Sequence, residues 1–226
     1  MAVKPVLLTF VAHALAVAAA AMVLVWCIHF RGGFAWKGSN KTLIFNNHPV
    51  LMLIGFIIIG GEAAMAYKSL PLRKEVQKVV HLTLHAVALA LGIVGIYAVF
   101  KFHDESHITN LYSLHSWFGL GIIVLYAIQW IFGFVMFFWP GGGKALKNDS
   151  RPWHVLFGTF LFTLAVGNST LGFLEKLTFL EMSGVARHGS EAYLVNFTAI
   201  AAVLYGAFVL LTLVSSTDQV TAIDKP

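Results

Sequence analysis

The sequence predicts an all-α integral membrane protein with six transmembrane helices, and three observations lead to that prediction. Apolar residues make up 58% of the 226-residue chain and charged residues only 11%, so a soluble domain would expose too much apolar surface to water. Six segments have the roughly 20 apolar residues that span a bilayer. Nearly all charges fall between these segments. We expect one membrane domain over residues 1–226, with spans at 6–30, 49–67, 79–100, 114–139, 153–173 and 192–214.

Each predicted helix has its own support. The first, 6–30, is too long for a signal-peptide core and no clear small-residue cleavage site follows it, so we expect it to be retained. The second, 49–67, opens on Pro49, which suits a first helical turn because its missing N–H has no partner there. The other four are long apolar runs joined by short polar connections. Glu62 is the only acidic residue well inside any span.

Basic residues predict the orientation of the chain. One side would carry nine Lys and Arg residues and the other six, and the excess marks the cytoplasmic side, which places both termini in the cytoplasm. The net charge of +5 has the same origin, so it indicates contact with membrane lipid and no nucleic-acid partner. The inner set is Lys4, Lys68, Arg73, Lys74, Lys78, Lys144, Lys147, Arg151 and Lys225. The outer set is Arg31, Lys37, Lys41, Lys101, Lys176 and Arg187.

Four helices each carry one histidine near the end at which they start. His48 and His115 open the second and fourth helices at the outer face, whereas His81 and His154 open the third and fifth at the inner face. The 19 residues from His81 to Phe100 correspond to about 28 Å of helix, nearly the thickness of the hydrocarbon core. The histidines therefore form two pairs on opposite sides of the membrane, and ionisable residues at such positions are usually functional.

Each pair suits a haem iron better than zinc. Zinc prefers three or four ligands, and Cys27 is the only cysteine, so no Cys-based site can form. A haem needs two axial ligands and small residues beside its ring. Gly55, Gly119 and Gly158 follow His48, His115 and His154 at helical spacings, although glycine is also common wherever membrane helices pack. An iron with two histidine ligands has no open position, which favours electron transfer over oxygen chemistry.

Four stretches resemble the cytochrome b561 family, and the plant members most closely. They read "FNNHPVLM", "YKSLPLRKEVQKVVHLTLH", "NLYSLHSWFG" and "RPWHVLFG", and the resemblance covers nearly the whole chain. It implies a helical bundle around two haem b groups, with His48 and His115 at the outer haem and His81 and His154 at the inner one. It also implies electron transfer from cytoplasmic ascorbate to monodehydroascorbate or a ferric chelate. The "YKSLPLRKE" loop departs from the longer and more basic run of the animal members.

The inner substrate contacts are predicted at the start of the third and fifth helices. Lys74, Lys78 and His81 are spaced by four and three residues, so they form one helical stripe on which an ascorbate anion can dock. Arg151 stands three residues before His154 in the same way. Lys78 is also a candidate base, because burial lowers the pKa of a lysine. The alternative is that these cations only anchor the topology.

The outer substrate contacts are predicted in "FHDESHITNLYSLH", which supplies Phe102, His103, His107 and Tyr112. Histidine and tyrosine can transfer the proton that accompanies an electron, so His103 and Tyr112 are the candidate catalytic residues here. Ordinary interfacial anchoring by aromatic residues is the alternative. His85, one turn beyond His81, could replace it as ligand or bond to a haem propionate or a carbonyl.

Two other functions remain open from sequence alone. "HLTLH" places two imidazoles at i and i+4, as a divalent-metal transporter would, and a haem-bearing anchor subunit of a larger redox complex would carry the same histidines. The sequence also leaves open a homodimer, and a location in the tonoplast, another endomembrane or the plasma membrane.

Overall fold

Six long helices make up the computed structural model, which describes residues 5–215. Each predicted span corresponds to one of them, and no strand occurs in the described part of the chain. Lys4 and Lys225, which entered the predicted orientation, lie outside the described residues. The helices are α1 (Pro5–Val25, continued by a π-helical turn at Trp26–Phe30), α2 (Thr42–Ser69), α3 (Lys74–Ser106), α4 (Leu114–Phe138), α5 (Lys144–Met182) and α6 (Ser190–Val214).

Two helices are longer than predicted. α3 has 33 residues and α5 has 39, or about 50 and 58 Å at 1.5 Å per residue, so both extend beyond a ~30 Å hydrocarbon core. Segments 144–152 and 174–182, predicted as loops, are helical. The prediction followed the apolar run, which marks only the membrane-embedded part of a helix, whereas Lys, Glu and Leu continue a helix into water with little penalty.

The four histidine-bearing helices form the centre of the bundle. α2 packs on α3, α4 packs on α5, and α2 also contacts α5, while α1 and α6 lie against each other and cover α2 and α5 from one side. The core at these contacts includes Trp26, Leu53, Met65 and Tyr205. Large apolar side chains such as Phe10 remain exposed all around the bundle, which suits a protein surrounded by lipid acyl chains.

Two buried asparagines fix the segment that leads into His48. Asn46 donates to the carbonyls of Arg31 and Gly33, at 3.2 and 2.6 Å. Asn47 donates to Ala35 O at 2.8 Å. These bonds join the α1–α2 connection to the start of α2, so the position of His48 is set by a satisfied polar network.

Asn46→Ala should lower the free energy of unfolding by about 1–3 kcal/mol, because it removes two hydrogen bonds to partly buried carbonyls, each contributing about 0.5–1.5 kcal/mol. A lower Tm in a thermal melt of the detergent-solubilised protein is the measurement. The control is Asn196→Ala, which removes an exposed amide that bonds only within α6. Equal melting temperatures for the two variants would show that the Asn46 network is not stabilising.

Candidate functional site

The outer pair of histidines faces across the bundle. His48 on α2 and His115 on α4 have ring centroids 6.2 Å apart. His48 Nδ1 is 2.9 Å from Gly95 O, and His115 Nδ1 is 3.0 Å from Asn168 O. Only a protonated nitrogen bonds to a carbonyl, so Nδ1–H donates in both cases and each Nε2 keeps the lone pair that binds a metal.

The inner pair repeats this arrangement. His81 on α3 and His154 on α5 have ring centroids 6.3 Å apart, and His81 Nδ1 is 2.8 Å from Ala63 O. His154 differs, because its Nδ1 is 3.0 Å from the side-chain amide of Gln129, which also donates to His154 O at 2.7 Å. Gln129 is a polar residue inside an apolar span, the same signal that identifies the histidines.

Both pairs have the spacing of two imidazoles on one iron. A metal–imidazole bond is about 2 Å and the ring centroid lies roughly 1 Å beyond the nitrogen, so two ligands of one ion have centroids roughly 6 Å apart. The outer pair, with both Nε2 atoms free, fits the axial ligation of a haem, and the inner pair has the same spacing with a free Nε2 on His81. Among residues 5–215, no three His, Cys, Asp or Glu side chains are grouped closely enough to hold a metal ion, so the structure does not favour a divalent-metal transporter.

The two pairs lie at different depths. His81 and Gly95, the carbonyl partner of His48, are both on α3 and fourteen residues apart. At 1.5 Å per residue this separation is about 21 Å. Each pair is therefore an independent site, one toward each end of the bundle.

Two glycines leave the space in which imidazole rings pack against the backbone of a neighbouring helix. A Cβ at Gly172 on α5 would lie 2.6 Å from His115 Cε1, and one at Gly133 on α4 would lie 2.9 Å from His154 Cε1. The glycines that the sequence places beside the histidines have other contacts. Gly119 and Gly158 face the side-chain amides of Asn168 and Gln129, the residues that contact His115 and His154.

Gly55 and His48 both face α3. A Cβ at Gly55 would meet Leu91 on α3 at 2.6 Å, and His48 bonds to Gly95, one helical turn from Leu91. Gly55 therefore lies on the same side of α2 as His48, although the segment between them includes the π-helical turns Leu51–Ile58.

His85 contacts the inner site without completing it. Its ring centroid is 4.4 Å from that of His81, and its Nδ1 is 2.5 Å from Tyr126 Oη. His81 is the α3 imidazole with a supporting backbone carbonyl and with its ring directed to His154. The structure therefore favours His81 as the ligand and places His85 in a hydrogen bond with Tyr126, which the sequence does not indicate.

At the outer end, three of the four predicted residues come together. His103 lies between Phe102 and Tyr112, with ring centroids 5.7 and 6.3 Å away. His107 is the left-handed residue that ends α3, is exposed, and takes part in none of the ring contacts found in residues 5–215. Sequence reasoning missed Glu175 of α5, although a carboxylate so close to an apolar span is a usable signal.

A groove of about 360 Å³ connects this cluster to the outer pair, and Tyr112, His115 and Glu175 line it. Burial raises the pKa of the Tyr112 hydroxyl, and the adjacent Glu175 carboxylate raises it further. Tyr112 therefore stays protonated at neutral pH and can donate a proton toward the groove.

At the inner end, the predicted cations lie at different depths. Lys74 is the first residue of α3 and is exposed, as is Arg151 on α5. Lys78 is half-buried, with its Nζ 5.6 Å from the ring centroid of Phe138. Tyr67, which the sequence does not single out, has its ring 5.4 Å from that of His81.

Comparisons with known proteins agree on one family. Residues 47–180 match the family model for eukaryotic cytochrome b561. The chain is 66% identical over 204 residues to transmembrane ascorbate ferrireductase 1 of Arabidopsis thaliana, covering 90% of this chain and 85% of that protein. It is 62% identical over 208 residues to ascorbate-specific transmembrane electron transporter 2 of Zea mays, covering 92% and 88%. A lysosomal membrane ascorbate-dependent ferrireductase of Rattus norvegicus is 40% identical over 198 residues, covering 84% and 76%.

The chain belongs to the cytochrome b561 family. It is an integral multi-pass membrane protein, and its cofactor is haem b.

Gly172→Ala should weaken haem binding at the outer site, because the added methyl group would lie 2.6 Å from His115 Cε1. We expect a smaller absorbance change per chain in the reduced-minus-oxidised spectrum. Gly167→Ala on the same helix is the control, since nothing lies within 4 Å of its added Cβ. Identical spectra for the two variants would mean that His115 does not need the Gly172 backbone.

Proposed function

We propose that this member of the cytochrome b561 family moves electrons one at a time from cytoplasmic ascorbate, through two haem b groups, to an acceptor on the opposite side of the membrane. The observation that carries this proposal is the presence of two histidine pairs about 21 Å apart along α3, each with the spacing for one iron. When bound between two histidines, haem iron supplies a reversible one-electron step without an open coordination position. The protein supplies the ligands, the substrate contacts and the proton donors.

The ligand set is His48 and His115 for the outer haem and His81 and His154 for the inner haem. Three of these imidazoles donate Nδ1–H to a backbone carbonyl, which fixes both the tautomer and the ring orientation. The apolar side chains around each pair lower the local dielectric constant, so the hydrogen bonds and charges of the protein act more strongly there than in water.

Ascorbate is the proposed donor, in agreement with the names of the relatives. It is an anion at neutral pH, and Lys74, Lys78 and Arg151 provide positive charge at the end of the bundle where the inner pair lies. Lys78 is the proposed contact and base, because it is the least exposed of these three and is held beside Phe138. Lys74 and Arg151 attract the anion from solution.

The acceptor site is proposed around Phe102, His103, His107 and Tyr112, next to the groove that reaches His115. Ferric iron is a proposed acceptor because relatives are named ferrireductases, and it would arrive as a chelate. Monodehydroascorbate is the other proposed acceptor. Tyr112 would donate the proton that this radical takes up with its electron.

The excess of Lys and Arg on one side supports the proposal that both termini lie in the cytoplasm. The protein would act, singly or as a homodimer, in the tonoplast, another endomembrane or the plasma membrane. A haem-bearing anchor subunit would bind the same cofactors but would not be reduced by ascorbate on its own, so reduction of the purified protein separates the two functions.

Histidine variants test the two-haem arrangement directly. His48→Ala and His115→Ala should each remove the outer haem, while His81→Ala and His154→Ala should each remove the inner one. The measurement is haem content per chain, which should fall from two to one. His85→Ala is the matched control and should keep both haems, and a His81→Ala protein that also keeps both would exclude His81 as a ligand.

Lys78→Ala should raise the ascorbate concentration needed for half-reduction by roughly fivefold, because one cation near a surface attracts an anion by on the order of 1 kcal/mol. Stopped-flow reduction at the cytoplasmic face is the measurement, with both haems retained. Added salt should reduce the difference from wild type, since screening acts within about 8 Å at physiological strength.

The control is Lys147→Ala, a cation on the same side that no predicted contact involves. If Lys78→Ala and Lys147→Ala bind ascorbate equally well at low salt, Lys78 is only a topology anchor.

A further inference from the structure

Lys176 lies on the outward side of the outer histidine pair. It is four residues beyond Gly172 on α5, so both residues share a helix face, and Gly172 is the residue that contacts the His115 ring. One helical turn, about 6 Å, separates them along the axis. Lys176 therefore stands directly outward of His115.

Aromatic contacts also connect Lys176 to His48. Its Nζ is 3.9 Å from the ring centroid of Phe45 and 5.9 Å from that of Phe102. Phe45 precedes His48 by three residues, and the two rings are 6.1 Å apart. These ring contacts connect the ammonium group to His48 through Phe45.

Neighbouring cations at this end of the protein have carboxylate partners. Arg31 pairs with Glu191, and Lys41 and Lys101 both pair with Glu105. Lys176 is only partly exposed, and within residues 5–215 it donates no hydrogen bond and has no carboxylate within 4 Å.

An ammonium removed from water needs a counter-charge, and the one carboxylate among residues 5–215 that acts on Lys176, Glu191, is already paired with Arg31. Contacts with aromatic faces return only about 0.5–2 kcal/mol. An anion is therefore the missing partner. It must reach a point directly outward of His48 and His115, and a haem bound between these histidines would carry propionate carboxylates that could reach such a point.

We propose that Lys176 pairs with a propionate carboxylate of the outer haem and that its positive charge raises the reduction potential of that haem. A nearby cation stabilises the reduced centre, which carries one positive charge less than the oxidised centre. A higher potential at the outer haem directs the electron from the inner haem outward. Lys176 is accordingly a positioning residue that acts through the cofactor.

The test is a spectroelectrochemical titration of the purified, haem-loaded, full-length protein. Lys176→Met should shift the one-electron equilibrium of the outer haem toward the oxidised form by about tenfold, which is 59 mV for a single electron. The reduction potential of the inner haem should not change, and Lys176→Arg should keep the wild-type potential of the outer haem. The outer component is identified by its absence from His48→Ala.

Arg187→Gln is the control for the loss of a charge at the outer end. The Arg187 side chain is 82% exposed, so water and salt screen its charge and neither component should shift. Lys176→Gln, which keeps a polar group, replaces the methionine variant in the titration if that variant loses haem.

Three results would overturn the proposal: an outer potential that does not change, equal shifts of both components, or an arginine variant that behaves like the methionine variant. An unchanged potential with weaker binding of the acceptor would assign Lys176 to the external anion instead. Because the proposal rests on the two-haem function, wild type is titrated first, and a single component there would contradict that function separately from the role of Lys176.

Discussion

The structure depends on hydrogen bonds that each histidine makes to a helix other than its own. His48 on α2 bonds to Gly95 of α3, and His81 on α3 bonds to Ala63 of α2. His115 on α4 bonds to Asn168 of α5 in the same way. The bundle is therefore two helical hairpins, α2–α3 and α4–α5, in which each helix supplies one histidine and supports the histidine of its neighbour. A shift between the helices of one hairpin would disturb both histidine pairs together.

Close contact within the hairpins requires small residues, and where a histidine reaches no backbone carbonyl a side-chain amide takes its place. Backbone carbonyls in a helix already accept from the next turn, so a side chain can reach them only where the neighbouring helix approaches closely. Gly95 itself faces Met52 at such a contact, where a Cβ in place of a glycine hydrogen would lie 2.9 Å from the Met52 sulfur. His154 reaches no such carbonyl and contacts the Gln129 amide instead. The two histidine pairs are thus not equivalent, because one histidine of the inner pair has a side-chain partner that can be replaced by mutation.

The site residues that can be predicted from sequence are those whose polar side chains cost free energy inside a membrane. His48, His81, His115 and His154 are identifiable because an imidazole in an apolar span needs a partner, and their depths follow from helix length alone. Gln129 carries the same signal, although the sequence reasoning did not use it. Nothing in "LMLIGFII" indicates the π-helical turns at Leu51–Ile58, so that irregularity of α2 could not be predicted. The partners of Tyr126 and Lys176 could not be predicted, since they depend on the rotation of helices that are distant in sequence.

The two ends of the protein use positive charge in different ways, and this difference follows from burial. Lys74 and Arg151 at the inner end are exposed, where salt screens them beyond about 8 Å, so they can act only on an anion that arrives beside them. Lys176 at the outer end is held between aromatic rings with its neighbours already paired. Its charge is screened little and acts continuously on whatever the outer histidines bind. In the proposed function, the exposed cations attract the donor and the partly buried Lys176 favours the electron at the outer haem, so the difference in burial gives electron transfer a direction.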